Sequence, residues 1–336
     1  MEKVGWGVIG AGGIADRRTL PVFPTIANST LAVVMDVKGA AELGRKYGVD
    51  ATSSVEEVLR RDDVGAVYIA TPVQFHAEQV VAAARAGKHV LCEKPLARNL
   101  AEARTMVQAC LEAGVLLQDA YMLRHHRAHL EILRLLREAA IGKPLYVHGM
   151  WSFSYPRIAG DWRQDPALGG GGSLMDVGCH MVDLVQMLLG PIARVACRVG
   201  TFVHDYPVED VGTVLLEFES GVHGTLVASF AASGEIMPNR LDLYGSSGAI
   251  RSHGTMTQGS DGEATIYREG EGRGQRRPIP YQQVNTYARQ VELLAERALR
   301  GEKLDRRRAD DMLRTVAVLD ACYQSARTGQ FVEIAI

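Results

Sequence analysis

Six residues close to the N-terminus, Val4 to Ile9, read VGWGVI, an apolar run typical of a strand buried on both faces. Gly10-Ala11-Gly12-Gly13-Ile14-Ala15 follows at once, in the pattern G-x-G-x-x-A, and predicts a tight turn into a helix. A second apolar stretch, Leu31 to Met35, ends in Asp36. No other feature restricts the fold as much. A strand, a glycine turn, a helix and a second strand closed by an acid form the opening of a parallel sheet with helices on its faces.

The chemistry of that spacing is specific. Gly10 permits the turn, and Gly12 lets the backbone approach a pyrophosphate, with Gly13 and Ile14 in the same loop. Ala15 keeps the helix close to the sheet, and the helix start favours phosphate charge. Asp36 is placed to accept hydrogen bonds from ribose hydroxyls. A carboxylate there repels a 2′-phosphate, so NAD is expected over NADP, a preference that nearby Lys38 weakens without reversing.

The alternation continues with strands at Val64 to Ala70, His89 to Cys92 and Val115 to Gln118. Helices are expected near Gln74 to Ala86 and Leu100 to Ala113. Together they imply a doubly wound parallel sheet, with ligands beyond the carboxyl ends of its strands. Asp36, Thr71, Lys94 and Tyr121 all follow strands at that edge. Held near a substrate hydroxyl, the Lys94 ammonium would stabilise a developing alkoxide; the alternative is a surface lysine in a loop. Pro95 restricts the Lys94 backbone, and a cis bond between them is an open question at this stage.

After about Leu123 the pattern changes. One helix, His129 to Ala140, precedes the helix that carries Asp176. Strands then come in succession at Ala193–Val203, Val211–Phe218, Gly224–Ala231, Asn239–Gly245 and Ala249–His253. Short turns between them suggest an antiparallel or mixed sheet. Gly259 to Arg277 reads as an exposed hairpin or loop, and helices at Asn285–Arg300 and Arg306–Thr328 close the chain. At 336 residues two domains are expected, 1–122 and 123–336.

A net charge of −2 favours neither nucleic acid nor an anionic membrane as partner, and no apolar run approaches a spanning helix. The opening MEKVGWGVIG enters a strand and lacks a signal-peptide pattern. Five scattered cysteines without a C-x-x-C pair fit a reduced, cytoplasmic protein. Cys179 and His180 adjoin, but neighbouring helix positions face apart and no second ligand pair is spaced for zinc, so no metal site is expected.

The stretch Gly169 to Asp183, GGGGSLMDVGCHMVD, raises the question of mechanism. Ser173 with Asp176 resembles a capping box, and His180 with Asp183 a local hydrogen-bonded pair. In the functional reading the glycines leave room for a substrate and Asp176 and His180 face one way on an α-helix. His180 then takes a proton from an alcohol, and Asp176 orients it or binds a second hydroxyl. Trp162-Arg163 offers a ring and a polar fork to a sugar, or else anchors a loop with a buried tryptophan.

Three motifs carry a resemblance: VGWGVIGAGGIA, YIATPVQFHAEQVVAAARAGKHVLCEKPLA and GGGGSLMDVGCHMVDLVQMLLG. The chain resembles, over nearly its whole length, the oxidoreductase family of glucose–fructose oxidoreductase, inositol dehydrogenase and the rhizopine-catabolism proteins. The resemblance implies a nicotinamide-binding domain joined to an α/β domain with an open, mostly antiparallel sheet that serves in homodimers or homotetramers. It implies hydride transfer to or from a small-molecule sugar, polyol or sugar derivative. Lys94 of E-K-P and Asp176 and His180 of D-x-x-x-H take the family's catalytic places. Thr71, Pro72, His76, Glu93 and Lys94 of the middle motif fall on the cofactor side. Tyr121 and Arg124, within AYMLRHH, resemble a segment that lines the active site in relatives, where a proline often stands in place of Arg127. LRHHRAH and MTQ have some likeness to the 1,5-anhydrofructose reductase branch, which favours NADP; Asp36 speaks against carrying that over. An NAD-dependent glycoside hydrolase working by transient oxidation and a non-catalytic NAD-loaded sensor stay open as alternatives.

Overall fold

The structure is a computed structural model that describes residues 2–268 and 275–336. The chain divides into two compact units, Met1–Ala120 with Tyr287–Leu313, and Tyr121–Thr286 with Arg314–Ile336.

The first unit is built on six strands: β1 Val4–Ile9, β2 Ser29–Met35, β3 Asp50–Thr52, β4 Ala66–Ile69, β5 His89–Cys92 and β6 Leu117–Asp119. All their pairings are parallel, in the order β3-β2-β1-β4-β5-β6. The order reverses between β1 and β4, which opens the ligand crevice of a doubly wound sheet at that point. The near-continuous burial of β1, β4 and β5 follows from cover on both faces. Trp6 on β1 is fully buried, and its indole N–H donates to Ser29 Oγ at 3.1 Å, so a large ring enters the core with its polar atom satisfied.

Two features of this unit depart from the sequence reading. The segment after the glycine loop is not a regular α-helix but a π-helical turn, Ala15–Thr19, followed by a 3-10 helix, Leu20–Thr25. Pro21 and Pro24 remove two N–H donors there, which a long α-helix does not tolerate. A single cut after residue 122 also does not describe the division. The helix Thr286–Leu299 returns and adds Val291, Leu294 and Ala295 to the core that holds Trp6, Tyr68 and Leu91. Burying a valine or leucine side chain contributes about 1.5–3 kcal/mol, so this return is a structural part of the unit.

The second unit carries nine strands, in the order β14-β13-β12-β11-β7-β10-β9-β8-β15. They are β7 Pro144–Ser152, β8 Ile192–Gly200, β9 Val211–Phe218, β10 His223–Ser229, β11 Arg240–Gly245, β12 Gly248–His253, β13 Glu263–Arg268, β14 Gln275–Pro278 and β15 Val332–Glu333. Every pairing is antiparallel except β10 with β7. Along β9 the buried Gly212, Val214, Leu216 and Phe218 alternate with more exposed partners, the period of a sheet covered on one face. The expected hairpin at 259–277 is in part the β13–β14 pair; residues 269–274 lie outside the described residues. Strand β7 was not anticipated, although it lies between β10 and β11. Its open-face residues Tyr146, His148 and Met150 are themselves large, so the contrast with Val147, Gly149 and Trp151 is weak in sequence.

Candidate active site

The first unit carries the glycine loop, Asp36, Thr71, Pro72, His76, Glu93 and Lys94. Gly10 has φ +82, and a Cβ there would stand 2.7 Å from Thr71 N and 2.8 Å from Ala70 C. The loop therefore runs hard against the end of β4, and only glycine fits. Gly13 has φ +58 and nothing within 4 Å of where a Cβ would stand; Ile14 after it is half-buried. Asp36 closes this edge: Oδ2 accepts from Gly12 N at 2.9 Å and Oδ1 from Lys38 N at 2.8 Å. A carboxylate offers about four acceptor sites, so capacity for further donors is left.

Thr71 and Pro72 follow β4, and Thr71 Oγ1 donates to Gln79 Oε1 at 2.6 Å. His76 is buried beneath them. Its Nε2 lies 2.9 Å from Thr71 O, and its Nδ1 lies 3.1 and 3.2 Å from the carbonyls of Pro95 and Leu96. Burial pushes the His76 pKa down, while the carbonyls pull it up. The ring is thus a clamp between the Thr71 loop and the Lys94 loop. Glu93 is also buried, accepting from Tyr68 OH at 2.5 Å and from Lys94 N at 3.1 Å. Glu93 supports the backbone of Lys94 from below. Lys94 is half-buried, and its bond to Pro95 is cis.

The second unit carries Tyr121, Arg124, Trp162, Arg163, Asp176 and His180. His180 begins the buried helix Cys179–Leu189 and is only 3% exposed. Its ring lies 5.1 Å from that of Trp151, tilted by 35°, and 5.6 Å from that of Tyr121, edge to face at 79°. Two aromatic faces therefore hold the imidazole. Trp151, which ends the buried face of β7, was missed because the strand was missed; the alternation Val147, Gly149, Trp151 is the signal that would have found it.

Arg124 is committed to an ion pair within the second unit. Its Nε and Nη2 donate to both oxygens of Asp183, at 2.5–2.9 Å. Asp183 is fully buried, so removing its cation would leave a costly charge inside the unit. Asp183 therefore has an arginine partner fifty-nine residues away in sequence, which its place beside His180 did not suggest.

Trp162, Arg163 and Asp176 come together. Arg163 Cζ lies 4.3 Å from the Trp162 ring, and Arg163 Nε lies 3.5 Å from Asp176 Oδ1. Asp161 Oδ1 accepts from Arg163 N at 3.0 Å and lies 3.7 Å from Nη1 of the same residue. Two carboxylates therefore share this one guanidinium.

The approach to the helix overturns one expectation. Ser173 is already in helical conformation and makes no cap; its hydroxyl donates to Ala228 O at 3.1 Å. Asp176 lies in a π-helical turn, Leu174–Gly178, that runs directly into the helix carrying His180. The cap is Glu209. Its carboxylate accepts from Gly172 N at 3.0 Å, Leu174 N at 2.9 Å and Tyr323 OH at 2.9 Å. Burial raises its pKa, and the two backbone N–H groups work in the opposite direction. Neither Glu209 nor Tyr323 was anticipated, because distant acids and phenols carry no local spacing signal.

The four glycines now have a physical reason. A Cβ on Gly171 would stand 1.9 Å from Tyr323 Oη, and one on Gly172 would stand 2.1 Å from Glu209 O. One on Gly169 would meet Trp162 O at 2.9 Å, and Gly170 has φ +81. The run does not leave room for a substrate; it admits neighbouring chain. Among the described residues no group of three or more His, Cys, Asp or Glu side chains is placed to hold a metal ion, and no helix is long and apolar enough to cross a membrane.

Comparison with known proteins agrees with this architecture. Residues 4–121 match the oxidoreductase family with an NAD-binding Rossmann fold, and residues 129–251 match the GFO/IDH/MocA C-terminal domain. The chain is 32% identical over 340 aligned positions to a 1,5-anhydro-D-fructose reductase of Ensifer adhaerens, covering 98% of each chain. It is 31% identical to a D-xylose 1-dehydrogenase (NADP(+)) of Haloferax volcanii, over 98% of this chain and 99% of that one. The crystal structure of an aldose-aldose oxidoreductase from Caulobacter crescentus, complexed with glycerol, superposes with a TM-score of 0.87 at 28% identity, over 99% and 100% of the two chains. The glycine loop with its acid, the two sheets and these full-length matches lead to one conclusion: the chain belongs to the Gfo/Idh/MocA family of NAD(P)-dependent oxidoreductases.

Proposed function

We propose that this chain is a dehydrogenase or reductase that moves hydride between NAD and an uncharged sugar, polyol or sugar derivative. The observation that carries the reading is His180, an almost enclosed imidazole held between Trp151 and Tyr121. A histidine so fixed is suited to exchange a proton with a substrate hydroxyl near neutral pH. In oxidation, the hydroxyl proton passes to His180 while the carbon gives up its hydride, and a carbonyl results. Bound nicotinamide supplies the hydride acceptor at C4. Lys94 stabilises the oxygen as charge develops on it. Asp176, paired with Arg163, orients the substrate. Trp162 beside Arg163 offers a stacking face.

NAD is favoured over NADP because Asp36 sets a negative charge at the end of β2, where a 2′-phosphate would be repelled. An uncharged substrate is favoured because Arg163 already serves Asp161 and Asp176. Trans to this chemistry, the open face of the second sheet carries Tyr146, His148, Tyr244, Arg251 and Tyr267, with Arg251 Cζ 4.9 Å from the Tyr267 ring. A second copy of the chain on that face would make the homodimer or homotetramer. Five buried cysteines without a disulfide suit a reducing cytoplasm.

The test is NADH formation from NAD across cyclic polyols, aldoses including D-xylose, ketoses and nucleotide sugars, with 1,5-anhydro-D-fructose as a reductive probe. Lys94→Ala and His180→Ala are assayed beside the parent. Turnover lost in both variants supports the reading. Release of aglycone from aryl glycosides without net NADH would replace it with the hydrolase.

A further inference from the structure

Three consecutive backbone N–H groups at the entry to the His180 helix all point at one residue. Gly172 N and Leu174 N donate to the two carboxylate oxygens of Glu209, at 3.0 and 2.9 Å, and Ser173 N donates to its backbone carbonyl at 3.0 Å. We propose that Glu209 is a positioning residue for the reaction: it sets where the helix carrying Asp176 and His180 begins, and Tyr323 holds Glu209 in turn. The anchoring is independent of the dehydrogenase reading; its catalytic consequence rests on that reading.

The anchor is strong for chemical reasons. Hydrogen bonds to a carboxylate are about twice as strong as neutral ones. Glu209 is 7% exposed, so water does not compete for its oxygens. The close approach of its carbonyl to Gly172, and of Tyr323 Oη to Gly171, excludes any side chain at either glycine. Glu209 itself has little freedom to shift, because its neighbour Asp210 is pinned from the other side. The buried Asp210 carboxylate accepts from Phe202 N, Val203 N and His204 N at 2.9, 2.8 and 3.0 Å. The π-helical turn Leu174–Gly178 starts at the last anchored residue. Any movement at Gly172–Leu174 therefore passes to Asp176 and His180, and a misplacement of about 1 Å at a catalytic group can cost on the order of 10²-fold in rate.

The test compares Glu209→Gln and Tyr323→Phe with the parent, as full-length chain with NAD. The first readout is backbone amide exchange by mass spectrometry. Exchange in the peptides covering residues 172–180 is expected to rise about tenfold or more in Glu209→Gln and about threefold in Tyr323→Phe, with the glycine-loop peptides unchanged. The second readout is kinetics on whichever panel compound turns over. There kcat is expected to fall about tenfold to a hundredfold in Glu209→Gln, with KM within about twofold of the parent. Unchanged exchange at 172–180 in both variants overturns the anchor, as does an even rise across the whole second unit. Changed exchange with unchanged kcat overturns the positioning role. If Glu209→Gln does not fold, Tyr323→Phe decides alone, since it keeps the ring. Should no compound turn over, the dehydrogenase reading fails while the exchange data still judge the anchor.

Discussion

The two glycine runs of this chain look alike in sequence and end differently. Gly10 to Gly13 ends in open space: nothing lies within 4 Å of the missing Cβ of Gly13. Gly169 to Gly172 is filled, with Tyr323 Oη and Glu209 O where the side chains of Gly171 and Gly172 would stand. In the first run Gly10 admits the end of β4 and Gly12 the Asp36 carboxylate, and Gly13 alone faces open space. In the second the missing side chains let two distant parts of the chain, Glu209 and Tyr323, lock one helix. A glycine run therefore signals close approach without saying whether a ligand or the protein itself approaches.

The comparison is sharpened most by removing what the closed run supports. His180→Ala is expected to lower kcat by about 10²–10⁴-fold, because general acid–base catalysis contributes on that scale. NAD affinity, set in the first unit, should stay as in the parent. Stopped-flow hydride transfer and a cofactor titration measure the two separately; a loss of NAD binding equal to the loss of rate would deny the division of labour. Next in size is Gly172→Ala. Its Cβ meets a backbone carbonyl at 2.1 Å and Val208 Cγ2 at 3.0 Å, and neither is the far end of a flexible side chain. Overpacking of this kind costs about 3 kcal/mol, read as a lowered midpoint of urea unfolding. An unshifted midpoint would mean that the second run is as open as the first.

These same regions show what a sequence can reveal of a fold and a site. The glycine loop, β1, β2 and Asp36 are legible because they are local: fixed spacings, buried runs and one acid at a strand end. The sheet of the second unit was legible as alternation in β9 and β10, but not in β7, where Tyr146, His148 and Met150 on the open face resemble core residues. Trp162, Arg163 and Asp176 do converge. Arg124 neutralises a buried aspartate fifty-nine positions on, and no periodicity reports such a pair. His76 and Glu93 belong to the motif but serve beneath the surface, binding carbonyls and a backbone N–H. Motif membership located those residues without telling contact from support.

At the open run, Asp36→Asn keeps the shape and removes the charge. The ratio of the NADP to the NAD dissociation constant is expected to fall by about tenfold, since hydrogen bonds to a charged acceptor exceed neutral ones by roughly that factor. Fluorescence titration with both cofactors decides this, and an unchanged ratio would remove Asp36 as the source of the preference. The smallest effect on stability should come from Gly13→Ala. No atom stands near the added methyl, so the cost is that of holding an alanine at φ +58, about 1 kcal/mol. Cofactor binding should suffer more than folding does, because the open space around Gly13 is where a pyrophosphate would approach the loop. Urea unfolding of the apoprotein and NAD titration of the same sample separate the two. If unfolding shifts as far for Gly13→Ala as for Gly172→Ala, the space around the first run is closed in solution, and the contrast between an open and a filled glycine run collapses.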